Sequence, residues 1–71
     1  MINDTFEFGI IKTFDSFKGF GFITREKGKD VFFFYEEIVG GDKYLHGGDH
    51  VRFVIKMQPR GPRAYQVTKI G

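Results

Sequence analysis

The chain has 71 residues, ten of them Phe and three Tyr, with no Cys and a net charge of +2. That length holds one small domain, residues 1–71, which buries only roughly 60% of the surface its unfolded chain exposes, and without Cys neither a disulfide nor a thiolate metal site can reinforce it. The start, Met1-Ile2-Asn3-Asp4, lacks the basic and apolar regions of a secretory leader, and no apolar run approaches the ~20 residues of a membrane span, so a cytoplasmic protein without membrane contact is expected.

Residues 5–14 read as a first strand, from Thr5 to Phe14, with Gly9 as a bulge or bend. Asp15-Ser16-Phe17-Lys18 is a turn, and residues 19–26 form a second strand. Lys27-Gly28-Lys29-Asp30 is a tight polar turn, which makes a hairpin of the second strand and a third over residues 31–35. Glu36-Glu37-Ile38-Val39 fits one helical turn, followed by a glycine-rich loop to Gly48. In the fourth strand, residues 50–58, Val51, Phe53 and Ile55 alternate with Arg52, Val54 and Lys56. Pro59-Arg60-Gly61-Pro62 is a turn, because two prolines bracket a glycine, and residues 63–70 form a fifth strand. Five short strands without a long helix predict an all-β domain. Closing the sheet removes both its free edges and its uncovered face, so the expected architecture is a five-stranded antiparallel Greek-key barrel, the OB-fold.

The aromatic residues are arranged by face. Phe20 and Phe22 lie two apart, with Gly19 and Gly21 pointing the other way; Phe32 and Phe34 share one face of the next strand, and Val31, Phe33 and Tyr35 the other. Paired, the two strands carry aromatic rings on both faces. One face must be core, and the other needs a reason to be aromatic in water, for which base stacking is the leading candidate. Period alone does not choose between the faces, although the glycines would add nothing to a core on their side. If Phe20, Phe22, Phe32 and Phe34 face outward, the core is Phe33, Ile11, Ile23, Val31, Val51, Phe53, Val67 and Ile70.

Charge is unevenly spread. Residues 51–71 carry Arg52, Lys56, Arg60, Arg63 and Lys69 without an acid, whereas residues 31–50 carry Glu36, Glu37, Asp42 and Asp49 against Lys43. Basic segments flanking an acidic middle suit a polyanion, and suit a solvated surface equally well. Lys12, Lys18 and Arg60 are candidates for phosphate contact, since a strand stacked on aromatic rings needs cations along its backbone. Arg25, Lys27, Lys29 and Arg63 read as solvated hairpin charges. Asp30 is either an acceptor for a base edge or a turn residue bonding its own backbone. Catalysis is not expected. The one Ser, Ser16, sits in a turn with no His nearby in sequence, Glu36 and Glu37 are adjacent, His46 and His50 have no ligand partner at metal spacing, and no phosphate-cradling G-x-x-x-x-G-K-[ST] occurs. No metal, cofactor or small-molecule substrate is expected.

Three segments in register carry a resemblance: Gly9-x-x-Lys12-x-Phe14-x-x-x-Lys18-Gly19-Phe20-Gly21-Phe22-Ile23, Asp30-Val31-Phe32-Phe33-Phe34-Tyr35, and Arg60-Gly61-Pro62-x-Ala64-x-x-Val67. Over residues 6 to 70 the chain resembles the cold-shock domain family, in particular its free-standing bacterial members. The resemblance implies an OB-type barrel that binds single-stranded RNA and DNA, with some preference for pyrimidine-rich strands. It further implies RNA-chaperone activity, modulation of transcription and translation, and no catalysis; a monomer is expected. It also decides the face, assigning Phe20, Phe22, Phe32 and Phe34 to stacking, adding Tyr35, and placing Phe14 partly exposed beside them. Thr13 stands where the family usually has Trp, Phe34 where it has His, Tyr35 where it has Phe, and Asp15 where it has Asn. The loop after Ile38 lacks the usual Phe, and Tyr44 is the aromatic nearest to it. These departures bear on affinity and base preference rather than on fold. The alternative reading is a small barrel that uses the same aromatic patch to bind another protein or a second copy.

Overall fold

The strands follow the sequence order β1 Glu7–Asp15, β2 Phe20–Arg25, β3 Val31–Phe34, β4 His50–Gln58 and β5 Gly61–Lys69, with one 3-10 turn at Tyr35–Glu37 after β3. A computed structural model describes residues 6–40 and 45–71. Tyr44, with the rest of 41–44, lies outside the described residues, as does the Thr5 start expected for the first strand. The strands close into a barrel in the order β1-β2-β3-β5-β4. Four neighbouring pairs are antiparallel; β3 and β5 run parallel, at Phe32↔Arg63. Parity demands this departure from an all-antiparallel ring: directions that alternate around five strands cannot match where the ring closes. Just beyond β3, Ile38 and Val67 form a parallel bridge, and the Val39 N–H donates to the Val67 carbonyl at 2.7 Å.

Two register slips decide which side chains enter the barrel. In β1 the pairing with β2 shifts between Ile11 and Thr13, so the bulge falls at Lys12 rather than at Gly9. Strict alternation after Ile11 would send Thr13 inward and Phe14 outward. With one extra residue, Lys12 and Thr13 both lie exposed and Phe14 turns to the core side. In β5, Gln66 has φ +54° where the register with β4 slips, and the buried positions are Ala64 and Val67, three apart rather than two. Gly9 is instead a point of close approach. A Cβ there would lie 2.5 Å from the Thr24 carbonyl oxygen and 2.7 Å from Ile23 Cγ2.

The core is Ile11, Ile23, Val31, Phe33, Val51, Phe53 and Val67, as expected from sequence, together with Ile38, Leu45, Val54 and Ala64. Val54, expected outside, is buried where the β4–β5 register slips, and Ile55 is only half-buried. Ile70, expected in the core, is 48% exposed. It lies beyond the last residue of β5, where its N–H still donates to the His50 carbonyl at 2.9 Å, and it lines an outer groove with Phe8 and Ile10. The second and fifth strands also differ in extent. Gly19 takes φ +85° and its N–H donates to the Asp15 carbonyl at 2.7 Å, so it belongs to the turn, a conformation open to Gly at little cost. β5 starts at Gly61, directly after Pro59-Arg60.

Asp49 ties the segment before β4 to its neighbours. Its carboxylate accepts the His46 N–H at 2.8 Å and lies 3.6 Å from Lys69 Nζ, while its carbonyl accepts the Ile11 N–H at 2.9 Å. The backbone hydrogen bond from His46, aided by Lys69, holds the Asp49 carboxyl below its ordinary pKa. A carboxyl with a lowered folded-state pKa contributes stability above its unfolded value, about 3.9, and loses it as the pH falls through the folded value. The melting-temperature gap between the native chain and Asp49→Asn should therefore be widest near neutral pH and close in strong acid; a gap independent of pH would refute the linkage.

Candidate nucleic-acid interface

β2 and β3 bring four phenylalanines together on the outer face of the barrel. The register sets Phe20 against Phe34 and Phe22 against Phe32. The rings form one interlocked group. Phe32 stacks on Phe20 at 5.5 Å between centroids, and meets Phe22 edge-on at 5.6 Å and Phe34 edge-on at 4.7 Å. These are the offset-stacked and edge-to-face arrangements that aromatic quadrupoles favour, and each ring limits the freedom of the next. Phe22 and Phe34 remain 37% and 38% exposed, while Phe20 and Phe32 are half-buried.

The inner face explains why this outer one is free. Phe33 is completely buried, and its ring stacks on Phe14 at 5.6 Å with 20° between planes. Gly21 makes room for it: a Cβ there would press on the Thr13 carbonyl and lie 2.8 Å from the Phe33 ring. The glycine between Phe20 and Phe22 is thus a fitted part of the core, and with Phe33, Ile23 and Val31 filling the inside, the other four rings are left outside. Phe14, expected partly exposed beside the platform, is half-buried, its ring packed against the core past the Lys12 bulge.

The other expected site residues surround the four rings. Tyr35 is 47% exposed; its N–H donates to the Gly19 carbonyl at 2.9 Å, and its ring packs close over Gly19. Lys12 and Asp30 form an exposed ion pair at 2.9 Å, a type of contact worth at most about 1 kcal/mol, so a competing phosphate can draw Lys12 away. Lys18 is exposed in the turn that Asp15 caps, where Asp15 Oδ1 accepts the Lys18 N–H at 3.0 Å. Arg60 lies across from the platform: a groove of about 580 Å³ has Phe22, Phe32 and Phe34 on one side and Arg60, Pro62 and Arg63 on the other. Arg25 closes the β2–β3 hairpin, its Nε donating to the Lys29 carbonyl at 2.8 Å and its Nη1 3.5 Å from Glu7, so its role is structural.

Arg63, read from sequence as a solvated hairpin charge, is not one. Its guanidinium carbon is 4.3 Å from the centre of the Phe34 ring, within the range of a cation–π contact. Its position beside Phe32 depends on the parallel pairing of β3 with β5, which joins residues far apart in sequence. Phe17, in the turn between β1 and β2, is 97% exposed. Among the described residues no three His, Cys, Asp or Glu come together as a metal site, and no helix is long and apolar enough to cross a membrane.

A five-stranded closed barrel with an outward aromatic face and cations around it defines a small nucleic-acid-binding domain of OB type. The model of the "Cold-shock" DNA-binding domain matches residues 7–70, and the chain belongs to the cold-shock domain family. It is 49% identical over 63 residues to the cold shock-like protein CspLB of Listeria monocytogenes, covering 87% of this chain and 96% of that protein. With the major cold shock protein of Streptococcus pyogenes serotype M18 it shares 43% identity, over 87% of this chain and 94% of the relative. Among solved structures it is similar in fold to drosophila Unr CSD456, with a TM-score of 0.82 and 23% sequence identity. That match covers 97% of this chain and 28% of the Unr chain.

Proposed function

We propose that this protein binds single-stranded RNA and DNA by stacking bases on Phe20, Phe22, Phe32 and Phe34, with Lys12, Lys18 and Arg60 contacting the backbone and Tyr35 extending the ring surface. The observation that carries this reading is the interlocked group of outward phenylalanines, built where an apolar face serves no core. A ring accepts any base on its π-face, so the binding tolerates sequence, with pyrimidine-rich strands favoured. By holding unpaired strands the protein melts weak hairpins without ATP and without catalysis, acting in the cytoplasm as an RNA chaperone and modulator of transcription and translation. It does so as a monomer, needing no cofactor. Asp30, paired to Lys12, is released to accept from a base edge when a phosphate takes Lys12.

The test is a titration with a fluorescein-labelled oligo-U or oligo-dT of about seven nucleotides at two salt concentrations, beside a duplex of similar length. Binding to the single strand that weakens with salt and is nearly absent for the duplex is the expected result. No binding to any single strand would overturn the reading and turn attention to a protein partner for the aromatic face.

A further inference from the structure

The outer face does not end at Phe34. Across the β3–β5 junction it continues through Arg63 and Tyr65 on β5 to Lys56 on β4, and three observations there point the same way. First, two cations share one mount. Arg63 lies 5.0 Å and Lys56 Nζ 5.2 Å from the centre of the Tyr65 ring, and the Tyr65 hydroxyl accepts from Gln58 Nε2 at 2.8 Å, which fixes that ring. Second, Lys56 and Arg63 are directly opposed in the β4–β5 register, an arrangement of like charges that weakens a strand pair. Third, Arg63 Nε is buried without a hydrogen-bond partner among the described residues, and a buried donor left unpaired is costly. The acid facing Arg63 is Glu37, at 4.0 Å, and Lys56 has no ion pair among the described residues.

An anion relieves the repulsion directly, and the unpaired donor only when the Arg63 side chain turns it outward. Phe34 and Tyr65 hold the guanidinium between them, leaving its N–H edges to make the paired hydrogen bonds that guanidinium forms with phosphate oxygens. We infer that Arg63 and Lys56, mounted on Tyr65, clamp a backbone phosphate of the bound single strand, so that the strand runs on from Phe34 across β5 to β4. This inference rests on the single-strand reading above.

The experiment measures binding of an eight-nucleotide oligo-U over a range of salt by the native chain, Arg63→Gln, Lys56→Gln and Arg63→Lys, with folding checked by thermal melting. The Arg63→Gln/Lys56→Gln double variant should lower the slope of log K against log salt by about 0.7, the value for one phosphate on a single strand, and neither single variant should lower it by more. Arg63→Lys should keep the slope but bind more weakly, having lost the fork. A series of oligomers, each with one phosphate replaced by a neutral methylphosphonate, should reveal a position that weakens the native chain and leaves the Arg63→Gln/Lys56→Gln double variant unaffected. If the native chain binds but slope and phosphate sensitivity match those of the double variant, the clamp is overturned while the stacking platform stands. If the native chain binds no single strand, the platform reading falls and the clamp with it. Inorganic phosphate at millimolar concentration should not displace the oligomer; displacement in the native chain alone would make this a free-anion site and overturn the assignment to the strand.

Discussion

Phe32→Ala is expected to weaken binding of a seven-nucleotide oligo-U by between about fivefold and a hundredfold while the barrel stays folded. The range follows from about 1–3 kcal/mol per stacked base, at about 1.4 kcal/mol per tenfold. Phe32 is the sharpest choice because it touches Phe20, Phe22 and Phe34, so removing it takes away one stacking surface and loosens three others. The same contacts forbid simple addition. A cycle of Phe32→Ala with Phe22→Ala should show coupling of about 0.5 kcal/mol or more, since the two rings meet. Fluorescence titration gives the affinities, and far-ultraviolet circular dichroism shows whether the fold holds. An affinity unchanged in a folded Phe32→Ala would show that bases do not stack on this face.

Phe33→Ala, one residue along the same strand, should act on stability instead. Its ring is fully buried, and truncating a buried Phe costs about 3–5 kcal/mol. A chain of 71 residues, at roughly 0.05–0.15 kcal/mol per residue, has only about 4–11 kcal/mol to lose. Urea denaturation should show a midpoint reduced by a third or more, or a chain already partly unfolded in water. Because Phe33 lies beneath Gly21, Gly21→Ala should destabilise from the opposite direction, by overpacking at about 1–3 kcal/mol, with the Thr13 carbonyl unable to move away cheaply. A loss below 1 kcal/mol for Phe33→Ala would mean that the core does not centre on this ring. The contrast between adjacent residues, one for binding and one for folding, is the alternation of β3 expressed as two separate measurements.

Strand count, hairpin and closure followed from period, glycine punctuation and the absence of a long helix. The inner face of β2 and β3, and with it seven of the eight expected core residues, was chosen only with the resemblance to the cold-shock domain family, because both faces are apolar. What escaped was whatever depends on the partner strand. The slip at Lys12, which sends Phe14 inward, is a fact of β1–β2 pairing, and no residue type at that position announces it. The slip at Gln66 likewise leaves Val54 buried and breaks the alternation of β5. Arg63 looked like any turn-side cation because its meeting with Phe34 depends on a parallel contact between residues about thirty positions apart. The glycines were read as adding nothing to a core on their side, yet Gly21 lies on the core side, because its missing side chain is what seats Phe33, and only the packed core shows that.

The closure of the barrel also has a mechanical side. β4 and β5 are zipped by seven register pairs, whereas β3 and β5 are joined by the pair Phe32↔Arg63, with the Ile38–Val67 bridge beyond. Among the described residues β1 pairs with β4 from Glu7 to Ile10 and Ile11 bonds to Gly48 and Asp49, whereas its far half, past the bulge, pairs with β2. The aromatic surface thus rides on a flap, β2 with β3 and the end of β1, hinged to a stiffer β4–β5 ribbon and latched to it by a few hydrogen bonds. Partial opening costs least where the fewest bonds must break, and here that place is the floor of the groove between the rings and Arg60. A polymer threaded over that groove would lie across the latch, so occupancy and rigidity would rise together.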